Sequence, residues 1–182
     1  DSGDHLVDHL LHPLREWNIP VCDRTPHIEL APDHNPSAAA PQIIIHPGSG
    51  APVKCWPEAQ FRALADALQT RDWEVAFLCG PVEIARGLAT DCAIVQPPDL
   101  PTLASLLARA KLFIGNDSGP GHIAAAVGTP TLSLFGPTDP RVWAPRNPAG
   151  QVLQAPTENI AEIFLATVVD TALQMLENGA NG

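Results

Sequence analysis

The first candidate binding loop follows a short apolar run and contains Ser49, Gly50 and Lys54. Glycine lets the backbone approach a ligand closely, and a hydroxyl, backbone amides and an ammonium group together suit an anion. The spacing matches neither the Walker A motif nor the dinucleotide-binding GxGxxG motif. On this pattern alone, a phosphate cradle and a flexible turn with a solvated lysine are equally good interpretations.

The second candidate loop covers residues 115–122, between an apolar run and an Ala-rich helix. Pro120 suits the first helical position, so we expect the amides just beyond it to be free and the helix dipole to favour an anion such as a diphosphate. Asp117 would repel phosphate, so we expect it to accept hydrogen bonds from sugar hydroxyls. The alternative is that Ser118 only caps the helix and His122 packs locally.

Two further loops are weaker candidates. Glu83 follows another apolar run, where a carboxylate could bind a ribose diol or could simply be solvated. The loop at 135–140, with a glycine and two prolines, is slightly better explained as a rigid structural turn than as a binding loop.

The sequence favours neither a metal site nor a hydrolase site. His5, His9 and His12 could share a helix face as zinc ligands, but a solvated or interface face is the better interpretation because no HExxH motif accompanies them. A hydrolytic triad of Ser118, His122 and Asp117 is excluded, since all three lie within one turn and GxSxG is absent.

The elements that must position these loops form the alternating pattern of a parallel α/β sheet. The predicted strands are Ile43–Ile45, Trp73–Cys79, Ala93–Val95, Lys111–Gly115, Thr131–Phe135 and, more weakly, Gln151–Gln154. The predicted helices are Pro57–Thr70, Thr102–Ala110, Pro120–Val127, Asn159–Glu177 and, more weakly, Val82–Ala89. In such a sheet ligands bind at the carboxyl ends of the strands, which is where the candidate loops lie.

Residues 1–40 do not continue this alternation. A helix is predicted from His5 to Trp17, at the margin of the sheet or projecting from it, and a Pro-rich segment without a strand follows it. We interpret residues 1–40 as the last helix of a preceding domain with an interdomain linker, and residues 41–182 as one ligand-binding domain.

Composition excludes several classes of function. The net charge of −10 and the pI near 4.9 argue against nucleic-acid binding, which needs a basic surface. No apolar run approaches the roughly 18 residues of a membrane span, and no export signal opens the chain, so a soluble cytoplasmic protein is expected. The four cysteines lack CxxC spacing and are expected to be reduced thiols without chemical function.

Taken in order, the motifs resemble the C-terminal domain of glycosyltransferase family nine, the ADP-heptose:lipopolysaccharide heptosyltransferases with a GT-B fold. The resemblance covers about residues 41–146, and the N-terminal stretch resembles the last helix and linker of such enzymes. It rests on His46-Pro47-Gly48-Ser49 with Lys54 and Trp56-Pro57, on Asn116-Asp117-Ser118-Gly119-Pro120 with His122, on Ala124-Ala125-Ala126 with Gly128-Thr129-Pro130, and on Leu134 to Pro140.

The resemblance implies a Rossmann-like parallel sheet with helices on both faces, the C-terminal half of a GT-B fold. It implies a donor site, with the diphosphate held by Ser49, Lys54 and the 118–122 helix start, the sugar by Asp117, the ribose by Glu83 and the base by residues 97–102. Lys54 and Asp117 would assist catalysis. The expected donor-binding residues are Ser49, Gly50, Lys54, Glu83, Asp117, Ser118, Gly119, Gly121 and His122.

The implied reaction is inverting transfer of a heptose from ADP-heptose to a lipopolysaccharide-core acceptor, with no metal and no cofactor. The general base would be an aspartate of an N-terminal domain outside this chain, which also binds the acceptor, so the chain alone is expected to be inactive. The full-length protein would work in the cytoplasm, with room for peripheral association at the inner face of the inner membrane. Two alternatives stay open: a nucleotide-sugar-binding module without transfer activity, and a GT-B-like nucleotide-sugar epimerase.

Overall fold

A computed structural model describes residues 4–30, 40–85 and 91–180 of the chain. Six parallel strands form one sheet in the order β3-β2-β1-β4-β5-β6. The strands are β1 (Ile43–His46), β2 (Val75–Leu78), β3 (Ala93–Val95), β4 (Leu112–Asn116), β5 (Thr131–Phe135) and β6 (Gln151–Gln154). All six strands predicted from sequence are therefore present, and the predicted Rossmann-like α/β class is confirmed.

Helices pack on both faces of this sheet, and every residue of the central strands β1, β2, β4 and β5 is buried. The helices are α1 (Leu6–Leu10), α2 (His12–Glu16), α3 (Glu58–Gln69), α4 (Pro81–Ala85), α5 (Leu100–Leu107), α6 (Gly119–Ala126), α7 (Pro140–Trp143) and α8 (Leu165–Ala180). Along β1, Ile43 and Ile45 face the core beneath α3 and α8, while Ile44 faces the core beneath α5 and α6. This two-sided burial explains why β1 and β2 contain consecutive apolar residues instead of apolar residues that alternate with polar ones.

The helix predicted over Asn159–Glu177 is wrong at its start. A short 3-10 turn at Ile160–Glu162 and the separate helix α8 replace it, with Ile163 and Phe164 between them. Ile160 and Ile163 are buried in the core, and the Ile163 carbonyl accepts a hydrogen bond from the indole of Trp56 at 3.0 Å. The break lets the Ile163 carbonyl face the Trp56 indole, while Ile160 lies next to Gly136. The weakly predicted helix Val82–Ala89 is present as α4, and its last four residues lie outside the described chain.

The single helix predicted over His5–Trp17 is in fact two short helices, α1 and α2. The break falls at Leu11, and Pro13 lies in the first turn of α2, where its missing N–H and fixed φ are tolerated. These helices dock onto the sheet domain, since His5 Nε2 donates to the Ala144 carbonyl at 2.8 Å. Residues 18–30 contain neither helix nor strand, and residues 31–39 of the predicted linker lie outside the described chain.

No helix of the described residues combines the length and the apolar character needed to cross a membrane.

Candidate functional site

The candidate site lies where the strand order reverses. β1 and β4 are neighbours at the centre of the sheet, and the chain leaves them towards opposite edges, so their following loops diverge and leave a crevice. The first loop runs from His46 to Trp56, and the second is the short Asp117–Ser118 connection into α6. The two strongest candidate loops from the sequence therefore meet at one place.

Asn116 at the end of β4 holds the two loops together. Its amide nitrogen donates to the carbonyls of Pro47 at 2.9 Å and Gly48 at 3.3 Å, and its amide oxygen accepts from the Trp56 backbone N–H at 2.9 Å. The residue is only 2% exposed, so these bonds form in a desolvated setting where an unpaired amide would be costly. Sequence analysis gave Asn116 no role. The sequence feature that could have identified Asn116 is its position at the end of a predicted central strand.

Lys54 and Asp117, which the sequence placed in separate roles, form an ion pair. Lys54 Nζ lies 2.8 Å from Asp117 Oδ2, which also accepts from the Thr138 hydroxyl at 3.0 Å. The Asp117 side chain is 8% exposed and the Lys54 side chain 30%. The Ser49 hydroxyl donates to the backbone carbonyl of Asp117 at 2.8 Å. Thr138 belongs to the 135–140 loop. This loop therefore contributes a side chain to the site, whereas its composition favoured a purely structural turn.

A cavity of about 510 Å³ opens beside this pair. Of the predicted donor-binding residues, five line it and four do not; the four outside its wall are Lys54, Asp117, Gly121 and His122. The cavity is lined by His46, Ser49, Gly50, Leu78, Cys79, Gly80, Glu83, Pro97, Pro98, Asp99, Leu100, Leu103, Ser118, Gly119 and Pro120. Residues from the ends of β1, β2 and β4 therefore share one cavity with the segment that follows β3.

Glu83 and His46 form a polar side of this cavity. Glu83 Oε2 accepts from the Gly80 N–H at 2.8 Å, and a methyl group added to Gly48 would lie only 2.2 Å from Glu83 Oε1 and 2.9 Å from His46 Cε1. Glycine at position 48 is thus what lets the carboxylate lie against the β1 loop. His46 Nδ1 lies 2.9 Å from the Leu78 carbonyl, which can only accept, so Nδ1 carries the proton and Nε2 is an acceptor.

Burial lowers the pKa of His46 below its ordinary value, since the imidazolium form is desolvated; the Leu78 carbonyl and the charge of Glu83 oppose this shift more weakly. Neutral His46 can therefore accept a hydrogen bond from a ligand hydroxyl. Sequence analysis missed its place in the cavity wall. Burial also raises the pKa of the neighbouring Cys79 thiol to about 11, which makes that sulfur a poor nucleophile.

Ser118 has a buried hydroxyl without a hydrogen-bond partner among the described residues. The residue occupies the N-cap position of α6, yet its side chain does not cap the helix. The capping alternative is therefore wrong. The Gly121 N–H donates to the Ser118 carbonyl at 3.2 Å, which corrects the expectation that amides just beyond Pro120 are all free, because the first turn is tightened.

His122 is not among the residues that line the cavity. Burial lowers its pKa; the charge of Asp117 opposes the shift, and His5 adds to it. Gly121 is packed next to Phe113 and Pro145, which a methyl group added at this glycine would meet at 3.5 and 3.7 Å.

The remaining wall is apolar and comes from the segment before and within α5. Pro97, Pro98, Leu100 and Leu103 contribute to it, and the Asp99 carboxylate caps α5 by accepting from the Thr102 N–H at 2.8 Å. An apolar wall with a polar rim suits a flat heterocycle. The predicted base-binding segment therefore lies in the same cavity as Glu83 and Ser118.

In residues 4–30, 40–85 and 91–180, no three His, Cys, Asp or Glu side chains come close enough together to hold a metal ion. The zinc alternative on His5, His9 and His12 thus has no geometric support among these residues. His5 instead accepts from the Val7 N–H through Nδ1 at 3.1 Å and caps α1.

Residues 10–166 match the model of "Glycosyltransferase family 9 (heptosyltransferase)". The chain is 43% identical over 113 residues to Lipopolysaccharide heptosyltransferase 3 of Escherichia coli K12, a match that covers 57% of this chain and 33% of that protein. It thus spans about a third of the length of such relatives.

Solved structures agree with this match. A glycosyltransferase family 9 protein from Veillonella parvula superposes with a TM-score of 0.83 at 22% identity, covering 96% of this chain and 61% of that one. An Escherichia coli heptosyltransferase solved with ADP-2-deoxy-2-fluoro heptose superposes with a TM-score of 0.66 at 25% identity, covering 76% and 44%.

Proposed function

The chain belongs to glycosyltransferase family 9, and from that premise we propose that it binds the nucleotide-sugar donor of a heptosyltransferase, with ADP-heptose as the donor. The similarity to a lipopolysaccharide heptosyltransferase and to an enzyme solved with an ADP-heptose analogue supports this donor class. The acceptor is then a lipopolysaccharide core. Because the chain covers only part of its relatives, the whole reaction is part of the proposal.

The observation that carries the proposal is the buried Ser118 hydroxyl in the cavity wall, which has no hydrogen-bond partner among the described residues. A buried hydroxyl without a partner costs free energy, and a phosphate oxygen bound in the cavity would satisfy it. The N-terminus of α6 begins at the next residue, so its dipole favours the same anion. The diphosphate therefore lies at the start of α6.

The other parts of the donor follow from the cavity walls. The ribose hydroxyls meet the Glu83 carboxylate and the acceptor nitrogen Nε2 of His46, and the base lies against Pro97, Pro98 and Leu100. In this arrangement the base lies at the apolar wall, the diphosphate lies at the start of α6, and the ribose lies between them. It leaves the sugar to extend towards the Lys54–Asp117 pair.

The Lys54–Asp117 pair serves the leaving group and the sugar. Asp117 accepts hydrogen bonds from sugar hydroxyls in place of its bond with Thr138, and Lys54 compensates the charge that develops on the diphosphate. In the reaction, an acceptor hydroxyl oxygen bonds to the anomeric carbon as the bond to the diphosphate breaks. The carbon inverts, ADP leaves with the electron pair, and a general base takes the hydroxyl proton.

That general base lies outside this chain, in an N-terminal domain that also binds the acceptor, and residues 1–40 are the end of that domain and the linker. No metal or cofactor takes part. The isolated chain therefore binds the donor without transferring the sugar, while the full-length protein works in the cytoplasm at the inner face of the inner membrane. Measurable sugar transfer by the purified chain would contradict the proposal that the general base lies outside it.

Two serine variants test whether the Ser118 hydroxyl binds the phosphate. Ser118 and Ser105 both have buried hydroxyls without a partner among the described residues, but only Ser118 lines the cavity. Ser118→Ala should weaken ADP binding by about ten- to a hundredfold, because a hydrogen bond to a charged group is worth about 1.5–3 kcal/mol. The free energy of unfolding should stay unchanged or rise. Ser105→Ala should leave ADP affinity unchanged.

Calorimetric titration with ADP, UDP and GDP measures both the affinity and the base preference. Equal ADP affinity in the wild-type chain and the Ser118→Ala variant would remove the phosphate role of Ser118. Equal affinity for the three nucleotides would remove adenine from the proposal and leave only diphosphate recognition.

A further inference from the structure

Three arginine side chains surround one carboxylate on the N-terminal segment. Asp8 in α1 bonds to Arg146 through Oδ2, and its Oδ1 lies 3.1 Å from Arg24 Nη1 and 3.8 Å from Arg15 Nη2. We call these four residues the Asp8 cluster. It joins α1, α2 and the segment after α2 to the segment that follows α7.

The cluster has more positive charge than its carboxylate can neutralise. Three guanidinium groups face one carboxylate, which leaves a surplus of two positive charges in a chain whose net charge is −10. Glu16 and Asp23 are next to Arg15 and Arg24 in the sequence, but among the described residues they form no ion pair with them: Glu16 lies 3.7 Å from His12, and Asp23 accepts from the Thr25 N–H.

Among the residues that the structure describes, most of the hydrogen-bonding capacity of Arg15 and Arg24 is unused. Within the described ranges, Asp8 Oδ1 has no hydrogen bond, so Arg24 and Arg15 act on it through charge alone. The side chains of Arg15 and Arg24 are 48% and 53% exposed, so solvent-borne anions can reach them. Each guanidinium can offer a pair of parallel N–H donors, the geometry that matches phosphate oxygens.

The cluster lies near the donor site but outside its cavity. The segment that carries Arg146 also includes Ala144, bonded to His5, and Pro145, next to Gly121 in the first turn of α6. None of the three arginines is among the residues that line the 510 Å³ cavity. A ligand held by the cluster would therefore be a second group beside the donor.

We propose that Arg15, Arg24 and Arg146 form an anion site for a phosphate monoester carried by the acceptor glycan. The surplus of two positive charges matches the dianion of such a group. The proposal rests on the transferase function proposed above, and it gives the N-terminal segment a part in holding the acceptor next to the donor.

The test follows the side-chain Nε–Hε NMR signals of the arginines during titration with mannose 6-phosphate, at constant ionic strength and with the whole chain. Mannose, sulfate and inorganic phosphate are the comparison ligands. We expect saturable shifts with mannose 6-phosphate and inorganic phosphate, weaker ones with sulfate, and none with mannose. Saturating ADP should leave the shifts in place, because the donor cavity is separate.

Three variants make the test specific. The double variant Arg15→Ala with Arg24→Ala should bind mannose 6-phosphate at least about tenfold more weakly, since two charge-assisted contacts are lost. Asp8→Asn should bind it more tightly, by about tenfold, because the competing carboxylate charge is gone while the side-chain shape stays. Arg71→Ala is the matched control, because Arg71 donates to the Ala67 carbonyl at the far end of α3.

A purely structural cluster gives different results. Absence of saturable shifts, equal affinity in the double variant, or weaker binding by Asp8→Asn would overturn the proposal, and displacement by ADP would assign the anion to the donor cavity instead. Titration of the double variant with ADP separates this failure from failure of the donor-binding proposal, since ADP affinity should be unchanged.

Discussion

Replacing Asp117 by alanine should raise the affinity for ADP, although Asp117 lies in the candidate site. In the free chain Asp117 neutralises Lys54 at 2.8 Å, so the pair presents little net charge to a diphosphate. Removing the carboxylate exposes a unit positive charge. At a separation of about 6 Å and an effective dielectric constant of about 40, that charge contributes about 1.4 kcal/mol, or about a tenfold gain in affinity.

ADP-heptose should not share the gain in affinity that Asp117→Ala gives ADP. The sugar loses its carboxylate partner, and loss of a hydrogen bond to a charged group costs about 1.5–3 kcal/mol. This loss offsets or exceeds the electrostatic gain at the diphosphate. The ratio of ADP-heptose to ADP affinity should therefore fall by at least about tenfold.

Lys54→Ala should weaken the binding of both ligands by about 1–3 kcal/mol, since the attraction between its ammonium group and the diphosphate is lost in each case. It should also destabilise the fold, because it leaves the Asp117 carboxylate, 8% exposed, without its cation. Calorimetric titration gives the affinities and denaturant unfolding gives the stability. Lys111→Ala is the matched control, since Lys111 lies over the Trp73 ring, 5.4 Å from its centroid.

Two results would contradict the donor-binding roles of Lys54 and Asp117. Equal losses for ADP and ADP-heptose in both variants would indicate general damage to the fold. Unchanged affinities in both would make the Lys54–Asp117 pair a structural ion pair with no part in donor binding.

Three further predictions follow from the cavity and its supports. Gly48→Ala should weaken ADP by about 1 kcal/mol in calorimetry, because its methyl group would lie 2.2 Å from the carboxylate that lines the cavity, whereas Gly179→Ala, with open space around it, should not. The free energy of unfolding should fall as the pH drops below about 6.5, because His46 in the unfolded chain takes up a proton that the folded residue, with its lowered pKa, does not. His46→Gln should reduce this fall, measured by denaturant titrations at pH 8 and pH 5.5. An unchanged fall would show that His46 does not contribute to it. Trp56→Phe should cost about 1–2 kcal/mol of stability in the same assay, because it leaves the buried Ile163 carbonyl without its 3.0 Å bond, and a smaller loss would mean that water replaces the indole.

The sheet could be predicted from sequence because its strands are short apolar runs between turn residues. Ala93–Val95, Thr131–Phe135 and Gln151–Gln154 are present with the predicted ends. Helix ends were harder to predict, since periodicity does not show where tertiary contacts interrupt a helix. The break at Ile163 depends on Trp56, which is distant in sequence, and the break at Leu11 was signalled only by Pro13.

The loops that make the site were predictable, but their internal pairing was not. Ser49, Glu83 and Ser118 meet in one cavity because each follows a central strand of a parallel sheet. The bond between Lys54 and Asp117 depends on side-chain directions across two loops, which residue types do not reveal. Nothing in their spacing indicated that they would be partners.

The central claim is that this chain holds a nucleotide-sugar donor across the crevice between β1 and β4. A crystal structure of the chain with ADP-heptose tests it most directly. We expect the diphosphate within hydrogen-bonding distance of the Ser118 hydroxyl, the ribose at Glu83 and the base against Pro97 and Pro98. ADP-heptose bound elsewhere, or with its diphosphate turned away from α6, would contradict the claim.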